Sequence, residues 1–343
     1  MNHCKPVAVG LIGAGRIGRS HAEIIARRLS NATLAAIADP APGAAAALAE
    51  QLDCPLAYTD VAELIANPDI EAVIIASPAR FHSDLAVEAA RAGKAVFCEK
   101  PMALTLDDAR RVTEAARQAG VVLQVGFNRR WDRAFADAHA AILAGKIGRP
   151  QLLRSLTRDP GPMTADPARI PPWTIFFETL IHDFDTLLWL NHGARATEVY
   201  AIADALIKPE AKAGGLLDTA VVTIRFDNGA MAVAEASFSA LYGYDIRGEV
   251  FGSAGMLTMG EVRKSSLRLF DAQGVSSDTW RMDTAEFIDA YTAEFAGFVQ
   301  SVRTGVVSGP GGEDACAALE IALACVASVK DGRPVSLQQI RQA

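Results

Sequence analysis

The feature that most constrains this chain is an apolar run near the amino terminus that stops in a glycine-rich turn. Residues 7–18 read VAVGLIGAGRIG, and a helical pattern then continues to Leu29. This order predicts a buried strand, a tight turn and the start of a helix. Gly13 permits the turn, Gly15 lets another molecule approach the backbone, and Gly18 lets the helix pack on the strand. The free N–H groups at the helix start favour phosphate binding.

An acidic residue follows the second predicted strand where a nucleotide-binding turn would need one. The run 33–38 ends in Asp39, and Pro40 and Ala41 come next. A carboxylate at this place accepts hydrogen bonds from the adenosine ribose of a dinucleotide. Because no arginine or lysine stands beside it to hold a 2′-phosphate, we expect NAD rather than NADP. The glycines alone would also fit a purely structural strand–turn–helix unit.

The amino-terminal part alternates strand and helix up to about residue 125. Helical patterns lie between predicted strands at 7–12, 34–38, 72–76, 95–98 and 121–125. This alternation predicts an α/β domain, a doubly wound parallel sheet of the Rossmann type, with ligands beyond the carboxyl ends of the strands. The expected cofactor contacts are Gly13, Gly15, Arg16, Ile17, Gly18, Asp39, Ser77, Pro78, His82, Glu99 and Lys100.

The pattern changes after Phe127. A helix at about 131–144 leads to strand-like text at 151–157, and a proline-rich loop then precedes a helix at about 178–190. Alternating runs follow at 197–207, 218–226, 230–239 and 245–252, and helices near 284–304 and 312–329 finish the chain. We therefore predict an NAD-binding domain over 1–126. Residues 127–343 form an α+β domain with a large open, mostly antiparallel sheet for substrate binding and oligomerisation.

Composition excludes several classes of function. A net charge of −7 argues against nucleic acid or an anionic membrane as the main partner. No apolar run reaches the ~18 residues of a membrane span, and the first strand follows Met1 too closely for a signal peptide. The five cysteines and six histidines are scattered, so we expect neither disulfides nor a metal site. These features favour a cytoplasmic protein.

Two short motifs carry candidate catalytic groups. Lys100 follows Glu99 at a strand end and precedes a proline, which restricts its backbone to extended conformations. Glu178 and His182 are four residues apart, so on a helix the carboxylate can orient the imidazole as a general base. From these residues alone, a solvated Glu–Lys pair and a surface Glu–His pair remain the alternatives. A metal site built on His182 with the two following aspartates fits less well, because Asp183 points away from the shared face.

Together these motifs resemble the Gfo/Idh/MocA family of oxidoreductases. GAGRIG, the strand-terminal acid, ASPARFH, CEKP and ExxxHDFD occur in the family's order across nearly the whole chain. Within the family the chain is similar to bacterial inositol 2-dehydrogenases, through QVGFNRRWD, TRDP, IHDFD, YGYDIRGEVFGSAG and AYTAEF. The resemblance implies a Rossmann domain, NAD, a homo-oligomer (commonly a tetramer) and a catalytic trio of Lys100, Glu178 and His182.

The resemblance also implies substrate contacts and one departure. It places Arg129, Asp159, His182 and Tyr244 against substrate hydroxyls. Each also has an alternative role: Arg129 could form an interdomain ion pair, Asp159 could form a turn, and Tyr244 could pack in the core or an interface. His82, at the start of a helix, could be structural instead of contacting the cofactor. Relatives have aspartate where this chain has Glu178 and a glycine pair a few residues earlier, where it reads WTIFF (173–177). The longer side chain shifts the carboxylate by about 1 Å, which is enough to alter catalytic geometry.

The expected activity is NAD-dependent oxidation of a secondary hydroxyl of a cyclitol, with myo-inositol converted to 2-keto-myo-inositol. His182 would take the hydroxyl proton, Lys100 would stabilise the developing alkoxide, and Glu178 would orient His182. Another polyol, such as scyllo-inositol or an aldose, is the alternative substrate. A NAD-sensing regulator without catalysis is the alternative class, although a sensor would not need both Lys100 and His182.

Overall fold

A computed structural model describes residues 5–160 and 170–342 and divides the chain into two compact units. The first unit contains the described residues up to Trp131 together with Ile288–Cys316, and the second contains Asp132–Phe287 and the described residues from Ala317 onward.

The described elements alternate strand and helix in the first third of the chain, strands predominate after that, and helices prevail near the end. The strands are β1 (Val7–Ile12), β2 (Ala32–Ala38), β3 (Leu56–Tyr58), β4 (Ala72–Ile75), β5 (Ala95–Cys98), β6 (Leu123–Val125), β7 (Pro150–Arg158), β8 (Ala196–Asp204), β9 (Thr219–Phe226), β10 (Met231–Ser237), β11 (Asp245–Gly252), β12 (Gly255–Met259), β13 (Leu269–Asp271), β14 (Gly274–Ser276) and β15 (Val335–Ser336). The helices are α1 (Arg16–Arg28), α2 (Ala44–Gln51), α3 (Val61–Ala66), α4 (His82–Arg91), α5 (Leu106–Ala119), α6 (Arg133–Leu143), α7 (Leu180–Leu190), α8 (Asp283–Glu286), α9 (Ile288–Thr304), α10 (Gly312–Asp331) and α11 (Leu337–Gln342).

The first unit is built on a six-stranded parallel sheet in the order β3-β2-β1-β4-β5-β6. Strands β4 and β5 are buried along their whole length, as expected for a parallel sheet covered on both faces. The strand order reverses between β1 and β4, so the crevice beyond their carboxyl ends is the place where a dinucleotide binds in such sheets. The predicted Rossmann-type fold is confirmed.

Two glycines let the main chain close tightly at the end of β1. Gly13 has a φ of +102°, and a Cβ built there would lie 2.7 Å from the carbonyl oxygen of Ala76. A Cβ on Gly18 would lie 1.9 Å from the carbonyl oxygen of Gly13. A side chain at Gly18 would force α1 away from the glycine turn, and one at Gly13 would collide with the backbone at the end of β4.

The second unit contains a seven-stranded sheet in the order β12-β11-β7-β10-β9-β8-β15. Only the β7–β10 pair is parallel among the pairs formed by these strands. Asn228 and Gly229 turn the chain between β9 and β10, as the predicted hairpin requires. The expected α+β domain with a mostly antiparallel sheet is therefore confirmed.

Helix α7 is joined to this sheet by a buried carboxylate. Asp183 is fully buried and accepts hydrogen bonds from Ser155 Oγ at 2.5 Å and Thr157 Oγ1 at 2.7 Å. Both hydroxyls belong to β7. Because Asp183 directly follows His182, its two hydrogen bonds also fix the backbone of His182 relative to the sheet. A π-helical turn, Ile175–Thr179, precedes the helix. The predicted helix at about 178–190 thus begins three residues earlier and in a different geometry.

The segment 288–316 packs in the first unit, whereas the sequence-based division placed it with the carboxyl-terminal domain. Ring contacts explain this grouping. Phe295 of α9 lies 4.8 Å, between ring centroids, from Phe97 of β5, and Phe298 lies 5.7 Å from the same ring. The division at residue 126 stays a prediction about the domains as folding units.

We predict that Asp183→Ala will lower the free energy of unfolding by about 3 kcal/mol, because two buried hydroxyls lose their acceptor. Urea unfolding measures the difference. Asp137→Ala on the exposed face of α6 is the control and should change the value by less than about 0.5 kcal/mol. Equal effects of the two substitutions would contradict a structural role for Asp183.

Candidate active site and cofactor crevice

A cavity of about 750 Å³ opens beyond the carboxyl ends of β1, β2 and β4 in the first unit. Seven of the predicted cofactor contacts line it: Gly13, Gly15, Arg16, Ile17, Asp39, Ser77 and Pro78. Its volume lies in the range of small-molecule and cofactor sites. Residues far apart in sequence therefore meet where the βαβ arrangement predicts a ligand.

Two observations indicate that the cavity fits a dinucleotide. A Cβ added to Gly15 would meet nothing within 4 Å, so the missing side chain leaves open space in front of the amino terminus of α1. That space suits a pyrophosphate, which needs close approach to backbone N–H groups. The buried hydroxyl of Ser77 has no hydrogen-bond partner among the described residues. Buried polar atoms are nearly always paired, so a ligand atom is the natural partner for this one.

Asp39 holds the glycine turn as well as facing the cavity. Its Oδ2 accepts a hydrogen bond from the backbone N–H of Ala14 at 2.7 Å, and its Oδ1 accepts one from Ala41 at 2.8 Å. Arg80 also lines the cavity, with its guanidinium carbon 4.4 Å from the centroid of the Phe81 ring. The carboxylate retains acceptor capacity for a ribose, because each oxygen carries two lone pairs.

His82 and Glu99 are turned into the protein. Both are nearly fully buried, and the two ring nitrogens of His82 lie 2.7 Å and 2.8 Å from the carbonyl oxygens of Ser77 and Pro101. Their predicted contact with the cofactor stays a prediction. Lys100, half-buried, follows directly at the end of β5.

Sequence reasoning missed His21, which is completely buried on α1 and lies 2.7 Å, Nε2 to Oε1, from Glu99. A signal was present, because a histidine on the apolar face of a helix needs a polar partner in the core. The partner is 78 residues away, and nothing in the local pattern identifies it.

In the second unit the candidate acid and base occupy the junction between the π-helical turn and α7. Glu178 lies in the turn and His182 in the first turn of the helix, and both are half-buried. Single π-helical turns, which contain one residue more than an α-helical turn, are frequent at functional sites. The extra residue changes the direction of the side chains relative to a regular α-helix.

Trp173 starts this junction in an unusual conformation. Its φ is +63°, a region that glycine adopts freely and bulky side chains rarely do. Its N–H donates to the carbonyl of Gly215 at 2.9 Å, and Lys330 Nζ lies 5.4 Å from the centroid of its ring. Local strain of this kind costs on the order of 1–3 kcal/mol and persists where the surroundings enforce it. It occurs in the segment where the resemblance leads us to expect a glycine pair.

The predicted substrate residues lie in both units. Arg129 is buried in a 3₁₀ turn of the first unit, Asn128–Trp131. Asp159 follows β7 in the second unit, where its N–H donates to Ser237 and its carbonyl accepts from Ala240. Tyr244 is half-buried, and its N–H donates to the carbonyl of Trp280. Their roles toward a substrate stay predictions.

Across residues 5–160 and 170–342, no three histidine, cysteine, aspartate or glutamate side chains are grouped so that they could bind a metal ion. In the same part of the chain, every helix is too short or too polar to cross a membrane.

Residues 7–127 match a family described as "Oxidoreductase family, NAD-binding Rossmann fold", and residues 135–258 match the "GFO/IDH/MocA C-terminal domain". The chain belongs to the Gfo/Idh/MocA family. It is 38% identical to a myo-inositol 2-dehydrogenase of Thermotoga maritima, over 97% of this chain and 99% of that protein. It is 36% identical to a scyllo-inositol 2-dehydrogenase (NAD(+)) of Bacillus subtilis, over 96% of each chain.

A solved structure of this family has the same fold. Scyllo-inositol dehydrogenase from Lactobacillus casei, with bound cofactor NAD(H) and scyllo-inositol, superposes with a TM-score of 0.93 at 28% identity and covers 97% of this chain and 100% of that one. Membership of the Gfo/Idh/MocA family confirms the predicted family, the oxidoreductase class and NAD as the cofactor.

We predict that the protein binds NAD at least tenfold more tightly than NADP, about 1.4 kcal/mol, because a 2′-phosphate would meet the Asp39 carboxylate. Asp39→Ala should narrow this difference, with Asp107→Ala on the exposed face of α5 as the control. Titration of each cofactor by fluorescence measures both affinities. Equal affinities in the unaltered protein would contradict the assignment of Asp39.

Glu99 should make stability depend on pH. Burial alone raises the pKa of its carboxyl group, but the hydrogen bond from His21 and the charges of His21, Lys100 and His82 bring the pKa below its ordinary value of 4.5. Because the pKa is lower in the folded state, the ionised carboxylate stabilises the fold above pH 4.5. This stabilisation is lost as pH falls through the folded-state pKa.

We therefore predict that Glu99→Gln will lower the free energy of unfolding by about 3 kcal/mol at pH 7, since it removes the charge and one of the two acceptor oxygens of a buried pair. The difference from the unaltered protein should shrink below pH 4.5. Urea unfolding between pH 3 and 7 measures it, with Glu88→Gln on the exposed side of α4 as the control. A difference that stays constant down to pH 3 would contradict an ionised Glu99.

Proposed function

We propose that this protein is an NAD-dependent cyclitol dehydrogenase whose substrate is myo-inositol, oxidised to 2-keto-myo-inositol. The observation that supports it most is the full-length similarity to a myo-inositol 2-dehydrogenase, combined with Lys100, Glu178 and His182 in this chain. The cavity lined by Gly15, Asp39 and Ser77 supplies the cofactor site that such a reaction requires.

The residues of the chain divide the chemistry between them. His182 takes the proton of the reacting hydroxyl as a general base, and Glu178 orients its ring through the other nitrogen. The ammonium of Lys100 stabilises the negative charge that develops on the substrate oxygen. The glycine turn, Asp39 and Ser77 would hold NAD, which when bound would accept the hydride that leaves the carbon bearing this hydroxyl.

Recognition of a polyol requires several fixed donors and acceptors, because each hydroxyl is distinguished by the hydrogen bonds it completes. Arg129, Asp159 and Tyr244 are proposed for this role. The backbone of Arg129 lies in the 3₁₀ turn. The backbone of Asp159 is hydrogen-bonded to Ser237 and Ala240, and that of Tyr244 to Trp280. Rigid support of this kind favours discrimination between stereoisomers.

Scyllo-inositol is the second candidate substrate, and a specific observation favours it. A relative of nearly equal identity is a scyllo-inositol 2-dehydrogenase (NAD(+)), which is 36% identical against 38% for the myo-inositol 2-dehydrogenase. A panel of myo-inositol, scyllo-inositol and glucose with NAD decides the matter by the rate at which NADH absorbance appears. The highest kcat/KM on scyllo-inositol would replace the first substrate, and no NADH with any polyol would favour a NAD-sensing regulator.

We predict that Lys100→Met and His182→Ala each lower kcat by roughly 10²-fold, the usual scale for losing electrostatic stabilisation or a general base. Binding of NAD should change less than threefold. Lys94→Met is the matched control, because Lys94 lies at the opposite end of β5 and donates to the carbonyls of Asn67 and Ile70. It should lower the melting temperature but not kcat. Activity of the Lys100 or His182 variant within threefold of the unaltered enzyme would contradict the assigned roles.

We also propose that the exposed face of the seven-stranded sheet packs against other copies of the chain in a homotetramer. Ile202 and Val221 are paired across β8 and β9 and are 61% and 44% exposed, and Met231 on the same face of β10 is 54% exposed. Exposed apolar side chains that lie side by side on neighbouring strands favour contact with another protein surface.

A further inference from the structure

A buried pair of side chains, His21 and Glu99, lies beside the proposed catalytic lysine. His21 of α1 is 0% exposed and Glu99, at the end of β5, is 5% exposed. His21 Nε2 and Glu99 Oε1 are 2.7 Å apart. Because the lowered pKa keeps the carboxyl ionised at neutral pH, Glu99 can only accept this hydrogen bond, and His21 Nε2 carries the hydrogen.

The ring of His21 is fixed by three aromatic neighbours. Its centroid lies 4.7 Å from that of Phe295, 5.2 Å from Tyr291 and 6.3 Å from Phe97. These rings belong to β5 and α9, and all are buried. Rotation of the imidazole away from Glu99 would displace packed aromatic side chains, so the direction of the Nε2–H bond is set by the core.

The carboxylate of Glu99 is equally constrained. A Cβ built on Gly126 would lie 3.1 Å from Glu99 Oε1, so the carboxylate packs directly against the backbone that follows the neighbouring strand β6. Its second oxygen, Oε2, accepts a hydrogen bond from the backbone N–H of Lys100 at 3.2 Å. The same carboxylate therefore holds both the histidine of α1 and the main chain of the lysine.

A second anchor lies on the other side of the lysine. The carbonyl of Pro101, the next residue, is 2.8 Å from Nδ1 of the buried His82, whose Nε2 is 2.7 Å from the carbonyl of Ser77. The backbone on both sides of Lys100 is thus held, by Glu99 before it and by His82 after it.

Stability alone does not require a polar pair here. Replacing a buried ion pair by apolar residues of similar volume is often neutral or stabilising, because burial of a carboxylate carries a large desolvation penalty. The aromatic surroundings of His21 would accommodate an apolar side chain. What an apolar pair could not provide is an acceptor for the N–H of Lys100.

We propose that His21 and Glu99 are positioning residues that fix the ammonium of Lys100 for the oxidation step. This inference rests on the proposed function, in which Lys100 stabilises the alkoxide. A displacement of about 1 Å in a catalytic group can lower the rate 10²-fold. Loss of the pair leaves the lysine present but less well placed, so a smaller loss of about tenfold in kcat is expected.

The test compares His21→Leu with His21→Gln, each in the unaltered enzyme and in the Lys100→Met background. Leucine fills the aromatic surroundings but cannot donate to Glu99, whereas the glutamine amide reaches about as far as Nε2 and can donate. We expect His21→Leu to lower kcat about tenfold, with KM for the polyol and Kd for NAD changed less than threefold. His21→Gln should recover kcat to within threefold. His139→Leu on α6, which removes a histidine stacked on Trp189 at 4.1 Å, is the control and should leave kcat unchanged.

The double variant shows whether the pair acts through the lysine. In the Lys100→Met background, His21→Leu should cause no further loss of kcat, because residues that act as a unit are non-additive. A further tenfold loss in that background would overturn the positioning role while leaving the proposed function intact. Full activity of Lys100→Met alone would overturn both. If His21→Leu does not fold, Glu99→Gln replaces it, since an amide offers one acceptor oxygen instead of two and the same non-additivity is expected.

Discussion

Close contact of three backbone segments at the glycine turn is the constraint on which the first unit depends. The absent side chains of Gly13 and Gly18 let β1, α1 and the end of β4 approach within atomic contact. This contact sets the start of α1, so it determines where the helix offers N–H groups to a phosphate. The same helix carries His21 one turn further on, and through Glu99 it reaches the end of β5. Cofactor binding and the placement of Lys100 therefore share one rigid element.

The parts of this architecture that could be predicted from sequence are those encoded by long, regular patterns. Buried parallel strands such as β1 and β5 are continuous apolar runs, and the turn between β9 and β10 carries an Asn-Gly signal. The short strand β3 was missed because its three residues are largely solvent-exposed and show no apolar periodicity. The β13–β14 ribbon was missed for the same reason: all six of its residues are exposed.

Candidate site residues divide in a similar way. The glycine turn and Asp39 are close in sequence and follow a known geometry, so the pattern identifies them. The four-residue spacing of Glu178 and His182 can be seen in the sequence. The π-helical turn that contains Glu178 cannot, because five residues are too few to show a change in the period of the apolar side chains. The pairing of His21 with Glu99 could not be predicted, since it depends on how helix α1 packs against the end of strand β5, 78 residues away.

The left-handed conformation of Trp173 has a practical consequence for observing this protein in solution. The indole is half-buried, is stacked on Phe176 with ring planes 17° apart, and lies beneath the ammonium of Lys330. Emission from an indole depends on nearby charge and on access of water to the ring. Trp173 precedes Glu178 by five residues along the same backbone segment, so in a variant that keeps it as the only one of the chain's four tryptophans, its fluorescence reports the conformation of that segment.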